Sequence, residues 1–221
     1  MKGKNNMPKI IAVNASPRIG WNTETIIRCA AEGAASSGAE VEYVNLYQLE
    51  RFTGCISCFG CKRTENLGKC INRDGLYGVL EKIRNADALI IGTPVYFGDV
   101  SASFRALFER LMFQYLTYKK EVRSYNDRQI PVLLVLTSNV PAEYDQNLLD
   151  RYKGMFERFI GPTSTFVCGN TLQVNNYEDY NWTQFNVEEK RQRREEVFPQ
   201  EKKQAYEIGT ALLNRKEETA L

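Results

Sequence analysis

Residues 54–70, GCISCFGCKRTENLGKC, hold four of the chain's six cysteines. Cys55, Cys58 and Cys61 stand in C-x2-C-x2-C spacing and Cys70 follows after eight residues. Thiolates are metal ligands and nucleophiles. Four so close together read as a metal or iron–sulfur site, a pair of disulfides, a thiol relay, or a cluster without a role. The remaining side chains narrow the chemistry, because the chain contains no histidine. Cys-His and Ser-His-Asp nucleophile machinery is thereby excluded, as are imidazole-ligated zinc and histidine-ligated haem. A bound cofactor that carries the chemistry becomes the more attractive expectation.

Cysteines need elements to position them, and a chain of 221 residues is long enough for one α/β domain with a large core. A net charge of +2 gives no reason to expect nucleic acid or a membrane surface as partner. No apolar run approaches the roughly 18 residues that span a bilayer. The first residues, MKGKNNMPK, lack the apolar core of a signal peptide. The expectation is a cytoplasmic protein, where structural disulfides are rare.

Strands and helices alternate along the chain. KIIAVNAS (9–16), AEVEYVNL (39–46), ADALIIGTPVYFG (86–98), QIPVLLVLTSN (129–139) and STFVCGN (164–170) read as five strands, the third broken at Thr93-Pro94. Helical composition or periodicity predicts helices over 23–38, 75–86, 101–116, 148–160 and 190–215, the last broken near Pro199. This alternation implies an α/β fold, a flavodoxin-like three-layer sandwich with a parallel sheet in the order 2-1-3-4-5. The whole of 1–221 reads as one domain, with a cysteine-rich loop at 54–74 and a helical extension at about 187–216. Two long aromatic-rich stretches, 118–128 and 173–186, read as site covers, subunit contacts or plain surface loops. KRQRREE (190–196) has mixed charge and reads as a solvated helix face.

In open α/β sheets ligands bind beyond the carboxyl ends of the strands. NASPRIGWNT (14–23) lies there, after the first strand. It is neither GxGxxG nor GxxxxGK[ST], so it promises neither a dinucleotide nor a nucleoside triphosphate. Ser16, Arg18, Asn22 and Thr23, with the N–H groups of a helix start, suit one terminal phosphate monoester; an ordinary N-cap turn is the alternative. Across the same switch point, TPVYFG (93–98) sets Tyr96 and Phe97 in a turn bounded by Pro and Gly, where they could face a flat ring.

With both segments in view, SPRIGWNT and GTPVYFGDVSASF resemble the NADPH-dependent FMN reductase group of flavodoxin-like proteins, from Ile10 to the C-terminal helix. The cysteine segment resembles that of the iron–sulfur flavoproteins in the group. The resemblance implies FMN, with Ser16, Arg18, Asn22 and Thr23 around its phosphate. It places Pro94, Val95, Tyr96, Phe97 and Gly98 along the isoalloxazine, and Thr137 and Ser138 in a third flavin loop. It also implies NAD(P)H as a transient donor and a homodimer or homotetramer. Trp21 stands where the family has a small residue, which implies a wider turn.

Cys55, Cys58, Cys61 and Cys70 then become candidate ligands of a [4Fe–4S] cluster, each iron taking one thiolate. The gap before Cys70 is longer than the family pattern, and zinc or free thiols stay open as alternatives. Cys29 and Cys168 read as small buried hydrophobes. The expected function is an FMN-dependent oxidoreductase of the NAD(P)H:acceptor type. The alternative is an electron carrier or redox sensor taking electrons from a ferredoxin-like protein. The expected partners are small-molecule or protein electron donors and acceptors; the carrier alternative has protein partners and no small-molecule substrate.

Overall fold

The structure, a computed structural model, describes residues 7–216. Residues 1–6 of the polar N-terminus and the last five residues of the 1–221 domain reading lie outside them. Strand β1 (Lys9–Asn14) shows why the sheet is buried on both sides. Ile10 and Ala12 pack with Ile26, Ile27 and Ala30 of helix α1 (Asn22–Ser36). Ile11 and Val13 point the other way, into a second core with Leu76, Val79 and Leu80. Alternation with apolar residues on both faces is the pattern of a parallel strand between two helical layers.

Around β1 lie β2 (Glu40–Asn45), β3 (Ala88–Tyr96), β5 (Val132–Thr137) and β6 (Thr163–Cys168), all parallel, in the order β2-β1-β3-β5-β6. A sixth strand, β4 (Asp99–Val100), pairs antiparallel with the end of β3. The sequence predicts five strands because a two-residue strand is too short to carry periodicity; the flavodoxin-like class is unchanged. On one face lie α1 and α6 (Phe198–Ala211). On the other lie α2 (Tyr77–Asn85), α3 (Ala102–Tyr115) and α4 (Gln146–Phe159). Helix α5 (Val187–Glu196) precedes α6, and Pro199 sits in the first turn of α6, where its missing N–H leaves no helical bond unmade.

One expectation fails in β3, which runs unbroken through Thr93-Pro94. Gly92 accepts the last bond from the β1 side, donated by Ala15 N at 2.9 Å. Two residues on, Pro94 turns its donorless nitrogen to the same side, past the end of β1, while still in register with Thr137. No ladder bond is lost there, as strand proline requires.

Helices α1 and α6 approach closely through two glycines. A Cβ on Gly33 would overlap the carbonyl of Tyr206, and one on Gly209 the carbonyl of Ala30. Thr210 Oγ1 donates to Gly33 O at 3.3 Å across the contact. Gly209→Leu should force the helices apart and cost about 3 kcal/mol, as overpacking does. Thermal unfolding should show it as a fall of roughly 6–12 °C for a chain of this size. An unchanged midpoint would contradict the contact.

Candidate functional site

At the carboxyl edge of the sheet a cavity of about 410 Å³ opens between the loops after β1, β3, β5 and β6. Ser16, Arg18, Asn22, Thr23, Pro94, Val95, Tyr96, Phe97, Thr137 and Ser138 all line it. Gly98 does not. It forms, with Phe97, the turn between β3 and β4. Arg18 is the one charged side chain among the lining residues, and no carboxylate joins it.

Local hydrogen bonds hold the wall rigid. Ser16 N donates to Asn14 Oδ1 at 3.0 Å, and Arg18 N donates to Ser16 Oγ at 3.1 Å, shaping the turn after β1. Helix α1 then starts at Asn22 with no side-chain cap, and Asn22 and Thr23 of its first turn line the cavity, while Glu24 of that turn accepts from Gly20 N at 2.6 Å. The hydroxyls of Thr23 and Thr137 lie 2.7 Å apart, linking α1 to the end of β5. The Arg18 guanidinium lies 3.7 Å above the Trp21 ring and donates to Gln173 O at 2.5 Å. Trp21 thus becomes a platform for the arginine.

The opposite wall is a two-residue hairpin turn. Phe97 (φ 51°) and Gly98 (φ 73°) are both left-handed, as a primed turn between paired Tyr96 and Asp99 demands. A phenylalanine there is strained, and Phe97 is fully exposed. Thr93, Ser101 and Ser103 form a buried hydroxyl network beneath the hairpin, with Ser101 Oγ donating to Ala15 O at 2.7 Å. Burial pushes the Tyr96 hydroxyl up from its usual range, with Tyr47 adding to the effect and Arg18 opposing it. Tyr96 therefore stays a neutral phenol.

Several residues the sequence reading did not single out complete the cavity. Gln173, Val174 and Trp182 bring in the long 173–186 stretch. Trp182 packs there with Tyr177, Tyr180 and Phe185, its ring 4.5 Å from Tyr180. Asn139 and Thr171 are held from behind by buried Lys190, whose Nζ donates to Asn139 O at 3.1 Å, Asn170 Oδ1 at 2.7 Å and Thr171 O at 3.4 Å. Arg194 Nη1 donates to Asn22 Oδ1 at 2.8 Å. The 190–196 run is therefore no solvated face throughout. Lys190 and Arg194, four apart, share an inward side of α5, and that spacing was the available signal.

The cysteine segment builds a second site against α3. Cys55, Cys58, Cys61 and Cys70 line one pocket with Arg110, Phe113 and Gln114. All six cysteines are free thiols; Cys168 is buried as expected, whereas Cys29 is half-buried. Asp74 organises the segment: its carboxylate accepts from Thr53 N at 3.1 Å, Leu76 N at 3.1 Å and Arg110 Nη1 at 2.5 Å. Glu109 Oε2 accepts from Cys55 N at 3.3 Å. Lys62 Nζ donates to the carbonyls of Phe113, Gln114 and Leu116, capping α3 and pinning the loop. Burial pushes the Cys61 thiol up, with Lys62 pulling the other way. Ser57 (φ 52°) and Phe59 (φ 55°) are left-handed between the cysteines. Among the described residues, no group of three or more Cys, Asp or Glu side chains is arranged to hold a metal ion. Free space in the pocket is about 20 Å³, no more than a water needs.

The parallel sheet, its order and a cavity at its carboxyl edge define a flavodoxin-like α/β protein. The fold is shared with an NAD(P)H:quinone oxidoreductase from Methanothermobacter marburgensis (TM-score 0.68, 13% identity, 93% of this chain and 99% of that one). It is shared also with a flavodoxin from the domain Archaea (TM-score 0.50, 10% identity, 94% and 97%). Residues 8–165 match the family described as NADPH-dependent FMN reductase, and the chain belongs to that family. It is similar to an iron–sulfur flavoprotein of Methanocaldococcus jannaschii, 39% identical over 102 residues, 46% of this chain and 51% of that one. The chain spans about half the length of the curated relatives it matches. No helix among the described residues is long and apolar enough to cross a membrane.

Proposed function

We propose that the chain is an FMN-dependent oxidoreductase that takes electrons from NAD(P)H and passes them to a small-molecule or protein acceptor. The observation that carries this is the cavity at the carboxyl edge of the sheet, lined by one cation, no carboxylate and the aromatic loop after β3. Its volume lies in the range of small-molecule sites, roughly 300–1,000 Å³. An uncapped helix start, Ser16, Thr23 and Arg18 suit a single phosphate, and nothing beside them offers a second glycine-rich cradle for a pyrophosphate. Val95, Tyr96 and Trp182 supply surfaces for a flat ring. Bound FMN would supply hydride and single-electron chemistry, which suits a chain with no histidine. The residues themselves bind, orient and shield: Arg18 holds negative charge, Lys190 and Arg194 fix the loops, and Tyr96 and Trp182 narrow the mouth.

In the same reading Cys55, Cys58, Cys61 and Cys70 are the residues that would hold an iron–sulfur cluster, which would supply one-electron chemistry beside the flavin. The donor set supports it: four thiols on one pocket and a backbone that curls through left-handed residues between them, a shape that collects N–H groups around anions. The space does not yet exist. Ile56, Cys58 and Phe59 form the pocket's exposed outer side, with Phe59 also packed on Phe113 at 5.6 Å.

The test is to release the flavin by heat, identify it by chromatography, and follow NAD(P)H oxidation with FMN and a dye acceptor. FMN with turnover is expected. Stoichiometric FAD would overturn the assignment, and FMN reduced only by a ferredoxin-like donor would favour an electron carrier. Arg18→Ala should lose a charge-assisted contact of about 1.5–3 kcal/mol, roughly 10- to 150-fold in Kd. Turnover should recover at saturating FMN, because Arg18 serves binding. A fallen kcat with unchanged affinity would place Arg18 elsewhere.

A further inference from the structure

The flavin cavity and the cysteine pocket share no lining residue, yet one hydrogen-bonded bridge joins their walls. It starts at Asp99, which closes the hairpin that holds the strained Phe97. Tyr152 Oη donates to Asp99 Oδ1 at 2.9 Å and accepts from Arg105 Nη1 at 3.2 Å. The other arm of the same guanidinium, Nε, donates to Glu109 Oε1 at 3.0 Å. Glu109 Oε2 then accepts from Cys55 N at 3.3 Å. Gly54 leaves room for that carboxylate, since a Cβ there would lie 2.5 Å from Oε2. An exposed Arg–Glu pair on one helix contributes little alone, and these side chains are 50% and 37% exposed. Tyr152 changes that. It is 1% exposed and wedged against Phe104 and Phe108, with ring centroids 5.5 and 4.7 Å away. A fixed phenol oxygen holds Arg105 in one geometry, so less freedom is lost when its planar fork also binds Glu109.

We propose that Tyr152, Arg105 and Glu109 are positioning residues that couple the flavin cavity to the cysteine segment. This rests on the function proposed above for its ligand, FMN; what the thiols hold plays no part. A ring bound against Val95 and Tyr96 restrains the hairpin, and with it Asp99. The bridge passes that restraint to Cys55 and keeps the segment docked on α3. The element with two states is the segment itself, docked as seen or opened to solvent, because local openings cost less than global unfolding. An occupied cavity therefore makes the opened state rarer. By linkage, a segment held open weakens FMN binding by the same factor. The expected factor is roughly 5–10-fold, the low end for coupled sites, because Arg105 and Glu109 are partly exposed.

The experiment is pulsed alkylation of the full chain with iodoacetamide, the protein reduced and freed of metal by a chelator, with each cysteine followed by peptide mass spectrometry. Cys61 is 6% exposed and reacts only when the segment opens. Exposed Cys58 serves as the reference for reagent strength, and Cys168, buried at the end of β6, reports global unfolding. Saturating FMN should slow Cys61 roughly 5–10-fold relative to Cys58 in the parent. In Tyr152→Phe, which keeps the ring and removes the hydroxyl, that slowing should disappear while FMN still binds. Arg105→Met cuts the next link at a half-exposed side chain and should act alike; if Tyr152→Phe fails to fold, Arg105→Met decides. Parent protein alkylated at Cys61 should bind FMN more weakly by the same factor. Equal slowing in parent and variants would overturn the bridge. Bound FMN that leaves the parent's Cys61 rate unchanged would overturn the coupling and leave the flavin reading standing. Cys168 reacting in step with Cys61 would mean that the chain opens only as a whole, which overturns the coupling too. A parent chain that binds no FMN would overturn both readings.

Discussion

Cys58→Ser is expected to abolish iron and sulfide binding while leaving the flavin in place. A [4Fe–4S] cluster asks for one thiolate per iron, so losing one of four ligands acts on the whole group. Cys58 suits the test because it is exposed. A serine there removes the ligand without opening the core, and loss of metal cannot be put down to unfolding. The flavin should stay because residues 54–71 contribute nothing to the cavity at the sheet edge. Cys29→Ser is the control, since Cys29 lies on α1 and lines no part of the cysteine pocket. The measurement is iron, zinc, sulfide and FMN per chain after anaerobic preparation. About four irons and four sulfides are expected in the parent and in Cys29→Ser, and neither in Cys58→Ser. One colourless metal without sulfide would replace the cluster with zinc.

The largest loss of stability is expected at Asp74. Its carboxylate joins the segment before the cysteines, the start of α2 and the middle of α3 through Thr53, Leu76 and Arg110. Arg110 is 1% exposed, so Asp74→Ala strands a buried charge. Removing one partner of a buried pair costs about 3–5 kcal/mol. Urea unfolding should report that loss at neutral pH, with the flavin cavity intact in whatever protein remains folded. The pH dependence follows from the sign of the shift. Burial opposes ionisation of Asp74, but the hydrogen bonds from Arg110, Thr53 and Leu76 outweigh it and hold the carboxyl below its usual range. Its contribution is thus complete above the unfolded pKa of about 4 and is lost as pH falls through the lower folded value. The gap between parent and Asp74→Ala should narrow from pH 7 towards pH 3. A gap of equal size at both would mean that Asp74 acts through packing rather than charge.

The sequence by itself determined the architecture and most of the candidate cavity wall. Apolar runs of strand length alternating with helical patterns leave few topologies open, and in such sheets the loops after the strands meet at one edge. Ser16 and Arg18 were legible because they follow β1, and Asn22 and Thr23 because they open the helix after it. The 94–97 segment was legible because it ends β3 and turns. So were the four cysteines, whose spacing is a local property. The tertiary structure decided what reaches these places from far along the chain. Trp182, Lys190 and Arg194 come to the cavity from more than 150 residues beyond the first loop, and Arg110 and Gln114 come to the cysteines from α3. Burial alone turns such side chains from solvated charges into fixed partners, and burial is set by which helix face meets which loop. Composition could not show it, because a lysine in a mixed-charge helix looks the same whether its Nζ meets water or three carbonyl-type oxygens. The continuity of β3 through Pro94 was hidden for the same reason, since it depends on where β1 ends, which no stretch of sequence contains; β4 was hidden because two residues carry no periodicity.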